Sequence, residues 1–262
     1  MISVVIPLYN KEKTIERAVR SVLQQTQLPD EVVVVNDGST DHGADVVSSL
    51  QATAIPVRLI NQENKGVSAA RNRGIAEANG DWIAFLDADD VWESEFISTL
   101  WCLHQQHPQC QVLASAYGHI DQQGHSKDII LRDLPFDGTS GELTNYFEVA
   151  AHSNPPFCSI SVIATKESLL SIGGFPIGIK AGEDLLTWAR LAVNYRIAYT
   201  SQSLATFYPE RDGYYSQPSR IPQEGDPVGI ALEQLLQQHP DTPGLQQYVA
   251  HWHKMRASIY LR

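Results

Sequence analysis

Three carboxylates within four consecutive residues follow a short apolar run and have the spacing of a metal-binding cluster. Asp87, Asp89 and Asp90 come directly after residues 83–86, which have the composition of a buried strand. In extended geometry Asp87 and Asp89 project to the same side, because side chains alternate along a strand. Anions this close repel one another unless a cation or hydrogen bonds compensate, and hard oxygen ligands favour Mg²⁺ or Mn²⁺. The cluster predicts a divalent metal site; the alternative is an acidic turn in which Asp90 caps the next helix.

A second acidic turn follows an earlier apolar run. Residues 31–35 lead into Asn36 and Asp37, and the glycine that follows suits a turn from strand to helix. Asp37 is expected at the same sheet edge as Asp87, where it could accept hydrogen bonds from a base or a ribose. The first strand ends at the same edge, and Tyr9 there offers a ring on which a nucleobase can stack.

The elements that must position these residues alternate between strand and helix. Short runs rich in Val and Ile predict strands at 3–7, 31–35, 57–60 and 82–86. Helical periodicity predicts a helix through Ile15 and Val22, a second starting near Asp41 with Ser39 or Thr40 as its cap, and a third over 67–78. This βα repetition predicts an α/β fold with a mainly parallel sheet flanked by helices, whose ligands bind beyond the carboxyl ends of the strands.

The second half of the sequence has weaker patterns. They predict helices over 94–107, over 166–172 and after Gly182, with strands over 112–120 and 159–165. Residues 133–154 are mixed and are candidates for acceptor specificity. Residues 211–229 are rich in Gly, Pro, Ser and Gln and predict a long loop, and residues 229–262 predict two helices separated at 240–244.

Composition excludes several classes of protein. The 262 residues carry a net charge of −11, which argues against nucleic acid as a partner. No apolar run approaches the roughly 18–20 residues of a membrane span, and the sequence opens on a strand without a signal-peptide pattern. The cysteines at 102, 110 and 158 contain no C-x-x-C pair and favour buried, free thiols in a reducing compartment over a disulfide framework or a zinc site. We therefore expect a cytoplasmic protein; Trp252 and its basic neighbours permit a weak peripheral contact with the inner face of a membrane.

Several motifs occur together in a specific order. They are Ser3-Val4-Val5-Ile6-Pro7-Leu8-Tyr9-Asn10, Asn36-Asp37-Gly38-Ser39-Thr40-Asp41, Asn64-Lys65-Gly66-Val67-Ser68-Ala69-Ala70-Arg71-Asn72, Asp87-Ala88-Asp89-Asp90, Gly173-Gly174-Phe175 and Gly182-Glu183-Asp184-Leu185. The ordered set resembles the family 2 glycosyltransferases of the GT-A fold. The resemblance is close over the first hundred residues and resumes at the last two motifs.

The resemblance implies roles for individual residues. It implies that Asp37 contacts the nucleotide base, that Asp87 and Asp89 contact ribose, metal and diphosphate, and that Asp184 is the catalytic base. The donor site would comprise Pro7, Tyr9, Asn10, Asp37, Arg71, Asp87 and Ala88, with Asp89 and Asp87 as ligands of Mn²⁺ or Mg²⁺. Arg71 either binds phosphate, supports Asp37, or forms an intramolecular salt bridge.

The hypothesis is an inverting transferase that moves a sugar from a nucleotide-diphosphate donor, UDP by default, to a hydroxyl of a saccharide or lipid-linked acceptor in cell-surface polysaccharide synthesis. Residues 1–210 would form the GT-A domain, with a donor half over 1–100 and an acceptor half over 101–210, followed by a flexible loop and C-terminal helices over 211–262.

A non-catalytic nucleotide-sugar-binding module is the alternative to this enzyme. A nucleotidyltransferase is disfavoured because the first strand is not followed by a glycine-rich loop.

Overall fold

The first part of the chain alternates strands and helices, as the sequence predicts. A computed structural model describes residues 1–50, 54–121, 123–208 and 224–260. The first seven elements are β1 (Ile2–Leu8), α1 (Ile15–Leu23), β2 (Glu31–Asp37), α2 (Gly43–Ser49), β3 (Val57–Gln62), α3 (Val67–Glu77) and β4 (Trp82–Phe85). All four strands predicted in this region are present, each within three residues of the expected bounds.

The remainder of the chain adds strands of very different lengths and most of the described helices. Its elements are β5 (Val91–Trp92), α4 (Phe96–Gln106), β6 (Val112–Ile120), β7 (Ser126–Asp128), β8 (Ser140–Glu142), α5 (Tyr146–His152), β9 (Val162–Thr165), α6 (Lys166–Ser171), α7 (Glu183–Asn194), β10 (Ile197–Phe207), α8 (Pro227–Gln238) and α9 (Leu245–Tyr260). A 3₁₀ turn over Ser159–Ser161 replaces the start of the strand predicted at 159–165.

One sheet runs through the described structure in the order β3-β2-β1-β4-β9-β6-β10-β5, with β7 on β6 and β8 on β10. Strands β3, β2, β1 and β4 are mutually parallel. Strand β9 is antiparallel to both of its neighbours, whereas β6 and β10 are parallel to each other. The predicted α/β fold is confirmed, and its parallel character is concentrated in the first four strands.

Helices cover both faces of the sheet, so its central strands are buried on both sides. Every residue of β1 and β2 is buried, which is why both strands are nearly continuous runs of Val and Ile rather than alternating patterns. On one face lie α1, α2 and α4. Helices α3, α5, α7, α8 and α9 lie on the other.

Two local predictions were wrong at their boundaries. Helix α2 begins at Gly43, and neither Ser39 nor Thr40 caps it; Ser39 Oγ instead accepts from the backbone of Asn10. Helix α8 begins at Pro227, two residues before the predicted end of the long loop, and Asp226 caps it by accepting from Gly229 N. The predicted loop otherwise falls largely on residues 209–223, which lie outside the described residues. The predicted break at 240–244 is confirmed.

Three further expectations can be compared with the described residues. None of the helices within those residues has both the length and the apolar character that crossing a bilayer requires. Trp252, the aromatic side chain invoked for a membrane contact, is only 4% exposed and packs in the core. The cysteines at 102, 110 and 158 are free, as expected, although Cys102 is exposed.

The close packing of α3 on β1 depends on Gly74. A Cβ added at this residue would lie 2.2 Å from Cγ1 of the fully buried Val5. We expect Gly74→Ala to lower the free energy of unfolding by about 1–3 kcal/mol, because overpacking outweighs the helix propensity of alanine. Urea denaturation measures this. The control is Ala76→Gly on the exposed face of α3, expected to cost about 1 kcal/mol through propensity alone. A stabilised Gly74→Ala variant would contradict the tight packing.

Candidate active site

The polar edge of the sheet begins where β1 and β4 stop pairing. Leu86 N donates to Val5 O at 3.2 Å, and the register of the two strands ends at Val5 and Phe85. Residues two apart on a strand face the same neighbour, so Pro7 faces β4 at the next position. Proline has no N–H to donate there. The pairing of β1 with β4 thus ends at Pro7, one of the predicted donor-site residues. The chain after Phe85 leaves the sheet as the loop that carries Asp87, Ala88 and Asp89.

The three carboxylates of that loop have different surroundings. Lys11 Nζ donates to Asp89 Oδ2 at 2.8 Å, and Arg71 Nη2 donates to Asp87 Oδ1 at 2.8 Å. Burial raises the pKa of Asp89, and Lys11 opposes this. Both side chains keep partial exposure, 29% for Asp87 and 20% for Asp89. A cation of the protein itself therefore stands beside each carboxylate that was predicted to bind metal.

Asp90 does not cap the helix that follows, and that prediction was wrong. Helix α4 begins at Phe96 without a side-chain cap. Asp90 is fully buried, and its Oδ1 accepts from the backbone N of Tyr208 at 2.8 Å, just beyond the end of β10. Burial, together with Asp87 and Asp89, raises its pKa well above the usual range. This aspartate ties the acidic loop to β10.

Arg71 joins the acidic loop to a second acidic segment far along the chain. It lies on α3 with 3% exposure, and its guanidinium contacts Asp87 Oδ1 at 2.8 Å and Glu183 Oε1 at 3.4 Å. Burial opposes the charge of Arg71, but Asp87 and Glu183 outweigh burial and raise its pKa. The guanidinium also lies 5.0 Å from the ring centre of Phe175. Of the three roles considered from sequence, the intramolecular salt bridge is present, and the other two stay predictions.

The acidic pair Glu183-Asp184 forms the first turn of α7, after Gly182 in the left-handed conformation. Leu185 N donates to Asp184 Oδ1 at 2.8 Å. Burial and the neighbouring Glu183 raise the pKa of Asp184 to about 6, with Arg71 acting in the opposite direction. A carboxyl group with this pKa is ionised at neutral pH and still takes up a proton readily, which is the property required of a general base.

Asp37 organises the loop before α3. Its carboxylate is 3% exposed, and it accepts hydrogen bonds from Gln62 Nε2, Lys65 N and Gly66 N at 2.7–2.9 Å. Gly66 precedes α3 with a φ of +88°, so this aspartate fixes the start of the helix that carries Arg71. Its predicted contact with a nucleotide base remains a prediction.

Tyr9, the residue predicted to stack on a nucleobase, directly follows β1 at the polar edge of the sheet. Its side chain is 49% exposed. Asn10 follows with a positive φ of 51°, and its Oδ1 accepts from Thr40 N at 2.8 Å. The turn after β1 is thereby held against the turn after β2, and the exposed Tyr9 directly precedes the residue that joins them.

Three positioning contacts were not predicted from the sequence. Asn72 Nδ2 donates to Phe175 O and Asn72 Oδ1 accepts from Phe175 N, both at 2.8 Å, which clamps α3 to the segment before α7. Glu183 binds Arg71, and Lys11 binds Asp89. The motif match includes Asn72 and Glu183 but does not specify their partners. Of these three contacts, only that between Lys11 and Asp89 has a signal in the sequence, because Lys11 follows shortly after the end of β1.

These features define the class of protein. The parallel half and the mixed half of this sheet superimpose together on solved structures of other proteins. S. aureus TarS 1-349 in complex with UDP-GlcNAc superimposes with a TM-score of 0.74 at 22% identity, over 94% of this chain and 69% of that one. The mannosyltransferase PcManGT from Pyrobaculum calidifontis in complex with GDP-Man and Mn²⁺ gives 0.71 at 21% identity, over 95% and 69%. The fold is GT-A.

The sequence identifies the family. The model of glycosyl transferase family 2 matches residues 3–162, more than half of the chain, and the chain belongs to that family. Glycosyltransferase GlyG of Streptococcus pneumoniae serotype 4 is 35% identical over 126 residues, 48% of this chain and 42% of that protein. GlyA of the same organism is 28% identical over 210 residues, 79% of this chain and 30% of that protein. The chain spans less than half the length of either relative.

Removing the Arg71 side chain would leave two carboxylates without their cation. We expect Arg71→Met to lower the free energy of unfolding by about 3–5 kcal/mol, the usual cost of breaking a buried ion pair from one side. The matched control is Arg73→Met on the same helix, where a half-exposed pair with Glu77 contributes at most about 1 kcal/mol. Equal effects of the two substitutions in chemical denaturation would argue against the buried bridge.

The raised pKa of Asp184 predicts a stability effect that depends on pH. Because the native state disfavours ionised Asp184, the protein loses stability as pH rises from about 4 to about 6. We expect Asp184→Asn to be more stable than wild type at pH 7 by up to about 3 kcal/mol, with the difference vanishing below pH 4. Thermal melts across this range test the sign. Asp241→Asn, at an exposed aspartate, is the control and should show no such trend.

Proposed function

We propose that this chain is an inverting glycosyltransferase that moves a sugar from a nucleotide-diphosphate donor to an acceptor hydroxyl. The supporting observation is the Arg71 bridge, which brings Asp87 at the end of β4 and Glu183 at the start of α7 onto one guanidinium. Candidate donor ligands and a candidate base thereby occupy one site. Within it, residues 1–100 would form the donor half and residues 101–210 the acceptor half.

The proposed reaction is a single displacement at the anomeric carbon of the donor. Asp184 accepts the proton of the acceptor hydroxyl while the oxygen of that hydroxyl forms the new glycosidic bond. The bond from the anomeric carbon to the diphosphate breaks, and its electron pair leaves with the nucleotide diphosphate. A pKa of about 6 suits this base, since it is ionised at neutral pH before the transfer and protonated by it.

Asp87 and Asp89 fit a divalent ion as ligands. They offer hard carboxylate oxygens with partial exposure at a strand end, a donor set suited to Mg²⁺ or Mn²⁺. Within the described ranges no three His, Cys, Asp or Glu side chains gather closely enough to hold an ion by themselves, so phosphate oxygens of the donor would complete the coordination. A bound ion would stabilise the negative charge that develops on the departing diphosphate.

The solved neighbours support the class of donor that we propose, and the acceptor class is part of the proposal. UDP-GlcNAc in the TarS complex and GDP-Man with Mn²⁺ in the PcManGT complex support a nucleotide-diphosphate sugar, for which we propose UDP as the nucleotide. Tyr9 would stack on its base, with Asn10, Asp37 and Ala88 beside it. The acceptor would be a hydroxyl of a saccharide or of a lipid-linked glycan in cell-surface polysaccharide synthesis, reached from the cytoplasmic side of the membrane.

Nucleotide-dependent stabilisation tests the donor half of this proposal. We expect UDP or GDP with Mn²⁺ to raise the melting temperature, because a ligand at 100 times its dissociation constant stabilises the native state by about 2.7 kcal/mol. EDTA or Asp89→Asn should abolish the shift. No shift with UDP, GDP, dTDP or CMP in the presence of Mn²⁺ or Mg²⁺ would contradict the donor assignment.

Asp184→Asn tests the chemical step separately. The variant should keep the nucleotide-induced shift and lose transfer by a factor of about 10²–10⁴, the usual contribution of a general base. Release of the nucleoside diphosphate from the matching donor sugar, measured with a panel of acceptor saccharides, reports the rate. Full activity in Asp184→Asn would overturn the assignment of the base, and binding without turnover in the wild type would favour the non-catalytic module.

A further inference from the structure

Helix α9 presents a buried aromatic face to the acidic pair. Tyr248 and Trp252 lie one helical turn apart, so their side chains share a face. They are 5% and 4% exposed. The helix packs against α5 and α8, and from this position Trp252 reaches Gly182, the residue before α7.

Trp252 packs on the residue that precedes the acidic pair. Gly182 has a φ of +84°, and a Cβ added there would lie 2.6 Å from Cη2 and 3.2 Å from Cζ3 of the Trp252 ring. Gly182 O also accepts from Leu186 N at 3.0 Å, the first helical hydrogen bond of α7. The indole ring therefore bounds the turn from which Glu183 and Asp184 project.

Trp252 is itself held in a fixed orientation. Its Nε1 donates to Asp226 Oδ2 at 3.0 Å, and Asp226 also accepts from Gly229 N at the start of α8. Arg256 lies 3.6 Å from Asp226 Oδ1 and 5.6 Å from the centre of the Trp252 ring. The indole of Trp252 is thus held by its hydrogen bond to Asp226 and by its packing on Gly182. These two contacts restrict the rotation of the side chain.

Tyr248 packs on aromatic side chains of α5, a helix that also packs on α7. Its ring contacts Phe147 and Tyr146, with centroids 5.4 Å and 6.3 Å away. The hydroxyls of Tyr146 and Tyr248 are adjacent, and the charge of Asp184 acts on both. Neither buried hydroxyl makes a well-aligned hydrogen bond within the described part of the chain. Tyr248 is thereby joined through α5 to α7, the helix whose first turn carries Asp184.

We propose that Tyr248 and Trp252 are positioning residues for transfer, and that α9 holds Asp184 in its reactive orientation. This inference rests on the proposed function, in which Asp184 is the base. Within the described residues, Trp252 bonds to Asp226 and the ring of Tyr248 contacts Tyr146 and Phe147, all of which lie outside β1, β2 and the acidic loop after β4. Their loss should lower kcat and leave donor affinity unchanged.

The first test compares Trp252→Phe with Trp101→Phe, which changes a tryptophan that packs on Trp82 and His104 away from the acidic pair. With the donor sugar whose nucleotide stabilises the protein, kcat of Trp252→Phe should fall by about tenfold to a hundredfold, the effect of misplacing a reacting group by about 1 Å. The KM for the donor and the nucleotide-induced shift should not change. Amide hydrogen exchange at 182–186, measured without substrate, should accelerate.

A double-mutant cycle with Gly182→Ala tests the contact itself. Alanine at a φ of +84° is strained in any background, but its Cβ meets the indole only when Trp252 is present. Gly182→Ala should therefore lower kcat less in the Trp252→Phe background than in wild type. Additive effects of the two substitutions on kcat would overturn the proposed coupling.

Tyr248→Phe tests the hydroxyl without removing the ring. We expect kcat to fall by about tenfold at unchanged melting temperature, whereas Tyr195→Phe, at the opposite end of α7 where the hydroxyl contacts Ser171, should have no effect on kcat. Wild-type kcat in both Tyr248→Phe and Trp252→Phe, with Asp184→Asn inactive, would overturn this inference and leave the proposed function intact. An active Asp184→Asn would instead refute the proposed function.

Discussion

A buried positive charge is the constraint on which the rest of the site depends. The guanidinium of Arg71 is almost fully removed from water, a costly state that is tolerated only when carboxylates surround it. Asp87 and Glu183 come from segments almost a hundred residues apart. The end of β4 and the start of α7 must therefore meet at α3, and the Asn72 clamp on Phe175 holds the connecting segment in the same place.

The local part of this arrangement could be predicted from sequence. Strands β1 to β4 are buried on both faces and so appear as continuous apolar runs, and polar residues at their ends indicate the edge where a ligand binds. Asp87 is predicted from such a position, whereas Asp184 is predicted from the motif match alone. Those patterns do not indicate which charged side chains pair with each other. The contact of Arg71 with Glu183, for example, spans 112 residues, and a local pattern carries no information over that distance.

The remaining differences arise where tertiary contacts override local preference. Ser39 and Thr40 are good caps, yet they bond to Asn10, and α2 starts three residues later. Asp90 resembles a helix cap but receives a backbone N–H from Tyr208. The direction of β9 was not predicted either, because an apolar run encodes the burial of a strand and not the strand beside which it lies.

The separation in sequence between Gly182 and Trp252 also sets an order of assembly. Chains are synthesised from the N-terminus, so the contacts of β1 to β4 with one another become available before α9 exists. The turn that carries Asp184 acquires its aromatic support only after about seventy further residues have been added. A nascent chain that ends before α9 contains β1 to β4 but lacks the Trp252 ring beside the turn that carries Asp184. The last contact of the candidate site to become available is therefore a buried one.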